Sequence, residues 1–142
     1  MIKNIVIAEP SKAILYLSET YEGSMHDKTI AEEEDLEFGK SLRLLQDLGF
    51  LAYAPEGVEV VIPTKKPRKK ELTAEQKAAN REKSRERVVV EHAIGGVKIW
   101  RIVKETIRSW SHRLRDQVMY LACGLHNFRL KCRNGSYKTY SV

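Results

Sequence analysis

The sequence predicts an α/β chain, strand-rich at the start and helical at the end, and three observations carry that prediction. Two short runs near the start, Ile5-Val6-Ile7 and Ile14-Leu15-Tyr16-Leu17, are apolar without alternation, the pattern of an interior sheet covered on two sides. Residues 84–98 read SRERVVVEHAIGGVK; as a helix this stretch is apolar nearly all round, so it is expected to be buried. Leu114, Val118, Leu121, Leu125 and Phe128 recur at helical spacing and predict a last, amphipathic helix. At 142 residues the chain is long enough to bury a core as one domain.

Taken in order, Lys3–Glu9 and Ala13–Glu19 read as strands joined by the Pro10-Ser11-Lys12 turn. Ser24 is placed to cap a helix over Met25–Glu34. His26 and Asp27 lie at its start, where His26 is either a structural hydrogen-bonder or a ligand. Glu32 to Asp35 is read as a solvated helix end. Ser41–Gln46 and Gly57–Pro63 are the third and fourth strands. Asp47 stands at the carboxyl end of the third, where α/β sheets form sites, although Asp before a glycine turn is also common. Thr73-Ala74-Glu75-Gln76 is a capping box opening the long helix. The pattern loosens over Glu105–Trp110, Ser111 can cap the last helix, and Asn134-Gly135 ends it.

Charge divides the chain. Residues 1–64 hold five basic against twelve acidic residues, net −7; residues 65–142 hold twenty against seven, net +13. Such a division suits a nucleic-acid enzyme, and equally a homodimer of opposite faces. The basic half begins with Lys65, Lys66, Arg68, Lys69 and Lys70, an exposed loop able to bind phosphates without reading sequence. Neither a run of about 18 apolar residues nor a signal peptide is present, so no membrane partner and a cytoplasmic location are expected. Cys123 and Cys132 lack metal-ligand spacing and are expected as free thiols.

On the long helix Ser84, Arg87, Gly95 and Lys98 fall within about 40° of Glu91. Two readings of that charged stripe stand: an internal Arg87–Glu91 pair one turn apart, or a Glu91 that faces a cleft and holds a divalent cation, since a buried charge needs a partner.

Gly23-Ser24-Met25-His26-Asp27, then Asp47-Leu48-Gly49-Phe50, then the Lys-rich loop, then Asn80-Arg81 and the Ser84, Arg87, Glu91-His92, Gly95 and Lys98 helix stand in one order. Together they resemble the DDE transposases of bacterial insertion sequences and their Harbinger-type relatives, which show a GxxHD turn, an Asp-x-Gly-Tyr/Phe motif and an Arg-x3-Glu-x6-Lys helix. The resemblance covers essentially the whole chain. It implies a ribonuclease H-like fold, with residues 1–104 a partial catalytic domain (basic loop at 64–71) and residues 105–142 a basic amphipathic helical part packed on it.

It further implies that Asp47 and Glu91 are catalytic, metal-binding acids, with Arg87, Lys98, His26 and Asp27 in or near the site and Mg²⁺ or Mn²⁺ as cofactor. DNA, as transposon ends and target, would be the partner, with nucleoid association in a bacterium. The family's first aspartate lies on a strand upstream of Ile2–Ala8, outside this sequence. The expected fold is therefore a truncated one, a mixed sheet lacking its central strand. The chain is expected to be inactive alone, either a degenerate remnant or the second half of a frameshifted reading frame whose partner is an upstream transposase half. Strands deprived of that neighbour lose about 0.5–1.5 kcal/mol per hydrogen bond and must pair with each other or stand as edges. Gly96 departs from the pattern and is expected to cost about 1 kcal/mol relative to Ala. The competing expectation is a non-catalytic, basic DNA-binding regulator of transposition.

Overall fold

The computed structural model describes residues 2–104 and 111–135. Its elements are β1 (Ile2–Lys3), β2 (Val6–Ala8), β3 (Ile14–Leu17), β4 (Tyr21–Glu22), α1 (Asp27–Glu33), β5 (Leu42–Leu45), a 3₁₀ turn (Leu48–Phe50), β6 (Val58–Val61), α2 (Ala74–Val97), α3 (Arg101–Lys104) and α4 (His112–Arg133). The chain is α/β. Instead of one mixed sheet, the described residues form three two-stranded sheets. Two compact units result, Met1–Lys3 with Tyr21–Val88, and Asn4–Thr20 with Val89–Val142. The loosened stretch Glu105–Trp110 lies outside the described residues.

In the first unit β1 pairs antiparallel with β4, and β5 pairs parallel with β6 in the register Leu42 to Val58 through Leu45 to Val61. The crossover, residues 46–57, contains the 3₁₀ turn, against which α1 packs. Helix α1 buries Ile30 and Ala31 and starts two residues later than expected. Its cap position is His26, which makes no side-chain cap bond, so Ser24 is not the cap. Met25 is held in the preceding turn because its N–H donates to the Glu22 carbonyl (3.1 Å) and its carbonyl accepts from Lys3 Nζ (2.9 Å). The acidic run is largely solvated, with Glu34 accepting from Tyr21 Oη (2.8 Å). Burial, then Asp35 and Glu32, push the Tyr53 phenol above its ordinary range.

Helix α2 opens with the expected capping box: Thr73 Oγ1 accepts from Gln76 N (3.2 Å) and Gln76 Oε1 from Thr73 N (3.1 Å). Its first half is stitched to the strand pair along one face. Asn80 exchanges two hydrogen bonds with the Thr64 backbone (2.8 and 3.0 Å), Lys83 Nζ donates to the Ile62 carbonyl (2.8 Å), and Glu86 pairs with Arg43 (3.0 Å).

In the second unit β2 and β3 form an antiparallel hairpin with a bulge at Ile7/Ala8. The strand expected over Lys3–Glu9 is interrupted at Asn4 and Ile5 because side chains take over the ladder. Asn4 Nδ2 donates to the Ser18 and Glu19 carbonyls and to Thr20 Oγ1, while Ser18 Oγ accepts from Ile5 N (2.7 Å). One face of the hairpin is buried: Ile14 and Leu17 join Ala93, Val97, Ala122 and Cys123 in the core, but Leu15 is 65% exposed. The two-sided burial expected of these strands is not formed, because α2 and α4 supply a layer on one side. For the same reason α2 is not buried all round. Ala93 and Val97 are its buried residues and Val88 lies open, as do Ile99 and Trp100 just past its end.

Helix α4 turns a different face inward from the one its large apolar residues mark. Leu114, Leu121, Leu125 and Phe128 are exposed, whereas Ala122, Cys123, His126 and Leu130 are buried. Small side chains let the helix approach the hairpin, and polar ones bond its open edge. Asn127 donates to the Ile14 carbonyl and accepts from its N–H (both 2.8 Å), as a neighbouring strand would. Asp116 Oδ1 accepts from Thr20 N (2.8 Å), and His126 Nε2 donates to the Lys12 carbonyl (2.9 Å). Cys123 and Cys132 are free thiols; burial raises the pKa of Cys123. Asn134 and Gly135 (φ 71°) close α4 as the sequence predicts.

His126 also corrects the reading of Gly96 as a loose point. A Cβ on Gly96 would lie 2.3 Å from His126 Cε1, while one on Gly95 would meet nothing within 4 Å. Gly95→Ala is therefore expected to raise stability by about 0.5–1 kcal/mol through helix propensity, and Gly96→Ala to lower it by about 1–3 kcal/mol through overpacking. Urea unfolding of the two variants measures opposite shifts in midpoint.

Candidate functional site

Strand β5 ends where the Gln46 N–H makes its last bond to β6, at the Val61 carbonyl (2.9 Å). The next residue, Asp47, is extended (φ −84°, ψ 167°) and caps the 3₁₀ turn, its Oδ1 accepting from Leu48 N (2.7 Å). The same oxygen accepts from Arg87 Nη1 of α2 (3.1 Å). Asp47 is thus a turn residue and, at the same time, an ion-paired carboxylate. Its side chain is 56% exposed and that of Arg87 31%, so the pair contributes at most about 1 kcal/mol. What the pair fixes is orientation, since both hydrogen bonds end on Oδ1.

Two residues on, Gly49 answers to a close approach. A Cβ there would lie 2.3 Å from Asp27 Oδ2. Asp27 itself is held by Lys3 Nζ (3.2 Å). Asp27, at the end of the GxxHD turn, is thereby seated on the Asp47-Leu48-Gly49 turn. His26 beside it is exposed.

Glu91 follows Arg87 by one turn of α2 and is solvent-exposed. Lys98 lies just past the end of α2 and is exposed too, its N–H still bonded to the Ile94 carbonyl (2.9 Å). The space over Gly95, on the same flank, is open. Lys65, Lys66, Arg68, Lys69 and Lys70 are exposed, and Lys66 forms an ion pair with Glu71.

Gln46 was not legible from sequence. It is 6% exposed, and neither its amide nitrogen nor its oxygen has a partner among the described residues. A buried amide without partners costs roughly 1–3 kcal/mol, and this one adjoins Asp47. Nor, among the described residues, do three or more His, Cys, Asp or Glu side chains gather as a metal cluster.

Residues 1–127 match the sequence family described as DDE superfamily endonuclease. The chain belongs to that family. It is also 31% identical over 126 residues to a protein of Microchaete diplosiphon, "Probable transposase for insertion sequence element IS702". That alignment takes in 89% of this chain and 45% of the relative, so the chain spans about half the relative's length. No solved structure matches. The matched span includes Asp27, Asp47, Arg87, Glu91 and Lys98.

For this DDE-family chain the weak but orienting role of Arg87 has a measurable consequence. Arg87→Gln is expected to shift stability by no more than about 1 kcal/mol. Gly49→Ala, which must displace Asp27 from Lys3, is expected to lower it by about 1–3 kcal/mol. Thermal melting of the two variants checks the order.

Proposed function

We propose that this chain supplies two metal-binding acids, Asp47 and Glu91, to a ribonuclease H-like DDE transposase centre that cuts and joins DNA. The observation that carries the reading is the Asp47–Arg87 pair. It ties the strand-end acid to Arg87 of α2, the helix on which Glu91 follows four residues later.

The donor set fits a hard cation. Carboxylate oxygens suit Mg²⁺ or Mn²⁺, ions that keep several waters and need few protein ligands. In two-ion sites the cations, about 4 Å apart, activate the attacking hydroxyl and stabilise the leaving oxygen.

Within this chain Arg87 holds Oδ1 of Asp47 and leaves Oδ2 for a ligand. Lys98, on the flank of Glu91, would meet phosphate. Lys65, Lys66, Arg68, Lys69 and Lys70 would hold the DNA backbone without reading its sequence. Two acids are few for two cations, so we expect a further carboxylate from the rest of the transposase, and no strand cleavage by these 142 residues alone.

Titration of Mn²⁺ into the chain, followed by electron paramagnetic resonance, is expected to show weak binding that falls at least tenfold in Asp47→Asn and in Glu91→Gln. A strand-transfer assay with the remaining half of the IS702-type relative supplied in trans completes the test. Activity that appears with both halves and vanishes with Asp47→Ala or Glu91→Ala supports the reading. Activity untouched by both changes rejects it.

A further inference from the structure

Helix α2 has two unlike faces in its first half. Asn80, Lys83, Glu86 and Arg87 are half-buried and bonded to the strand pair or its loops. Lys77, Arg81 and Arg85 are exposed and lie roughly opposite, at about 100° per residue. At i, i+4 and i+8 they climb the helix in steps of about 6 Å. Together with Ala78 and Glu82 they line a shallow hollow of about 490 Å³.

We propose that this face is a second DNA contact, a track for the phosphate backbone of a duplex, distinct from Asp47 and Glu91 and continuous with the Lys65–Lys70 loop. It rests on the reading of DNA as the substrate.

Three observations support it. No ion pair among the described residues engages Arg81 or Arg85, and Lys77 meets Glu71 at 3.4 Å with both side chains more than half exposed, a contact of little strength that salt screens. Of the acids of this helix segment, Glu75 lies about 120° from the middle of the track and Glu86 is occupied by Arg43; Glu82 lines the same hollow, one acid against three cations.

The third observation is that the loop is joined to the helix at both ends. Thr64 at one end is bonded twice to Asn80, and Glu71 at the other pairs with Lys66 and Lys77. Five loop cations and three helix cations thus form one basic surface, beside a helix N-terminus whose dipole favours anions. No aromatic side chain occurs in the loop residues 64–71 or on the track. Single strands are gripped largely by stacking on aromatic rings, so the surface fits duplex backbone.

The test uses the full chain and a short fluorescent duplex of random sequence, with anisotropy measured over a range of salt. Each phosphate contact contributes about −0.9 to the slope of log K against log salt, so the triple variant Lys77→Ala, Arg81→Ala, Arg85→Ala is expected to flatten that slope by about 2.7. Alanine is the best helix former at these exposed sites, and an unchanged melting curve shows that the fold is kept. The glutamine triple variant should give the same flattening if charge is the cause. Wild-type binding with a slope equal in both variants overturns the track and leaves the DNA reading standing. Tighter binding to a single strand than to the duplex overturns the assignment to duplex backbone. Absence of wild-type DNA binding at low salt overturns the DNA reading and the track together.

Discussion

The contact that orients helix and strand end in the first unit is the guanidinium of Arg87 against the carboxylate of Asp47. A strand end and a helix are brought into register at one atom, Asp47 Oδ1, which also caps the 3₁₀ turn. The pair is too exposed to contribute much stability, yet it is the last of four fastenings that decide which face of α2 lies on the strands. Asn80, Lys83 and Glu86 are the others. Once that face is chosen the helix has no freedom left in how it presents the rest. Lys77, Arg81 and Arg85 must look outward. A weak interaction therefore has strong geometric consequences, because it acts with three neighbours on a rigid rod.

The second unit solves a different problem with similar means. A two-stranded hairpin has two open edges, and an open edge is a site for unwanted pairing. Helix α4 closes part of one with side chains: Asn127 imitates a peptide group for Ile14, while Asp116 and His126 take Thr20 N–H and the Lys12 carbonyl. Each such bond contributes about 1 kcal/mol net. Close approach is a condition for all of them, which explains small residues at Ala122, Cys123 and Gly96 where larger ones would fill the space.

What was legible in the sequence follows from how local each signal is. The capping box at Thr73 and Gln76, the Asn134-Gly135 stop, strands β3, β5 and β6, and the position of Asp47 at a strand end all depend on near neighbours in the chain. The inward face of α4 does not. Its large apolar stripe, from Leu114 to Phe128, outweighs a face made of alanine, cysteine and polar residues, and periodicity weighs only hydrophobicity. The usable signal was Asp116, His126 and Asn127 recurring among Met119, Ala122, Cys123 and Leu130, a polar and small-residue face suited to backbone bonding. The break at Asn4 was hidden likewise, since its partners are Ser18, Glu19 and Thr20, on the far side of a turn. At the candidate site the strand-end position of Asp47 and the helical position of Arg87 and Glu91 were legible through their order. Their partners were not, because Lys3 meets Asp27, and Arg87 meets Asp47, across long stretches of sequence.

On the proposed reading, Asp47 carries two demands that usually conflict. A carboxylate that binds a cation should be free of other positive charge, whereas one that must sit in a defined place needs partners to hold it. The geometry separates the demands by atom, with both donors, Leu48 N and Arg87 Nη1, on Oδ1. An exposed guanidinium is a mild competitor for a divalent ion, because solvent screens it. A buried one would have made the carboxylate costly to recruit. On the proposed reading, the half-exposed position of the pair keeps the acid in place without saturating it.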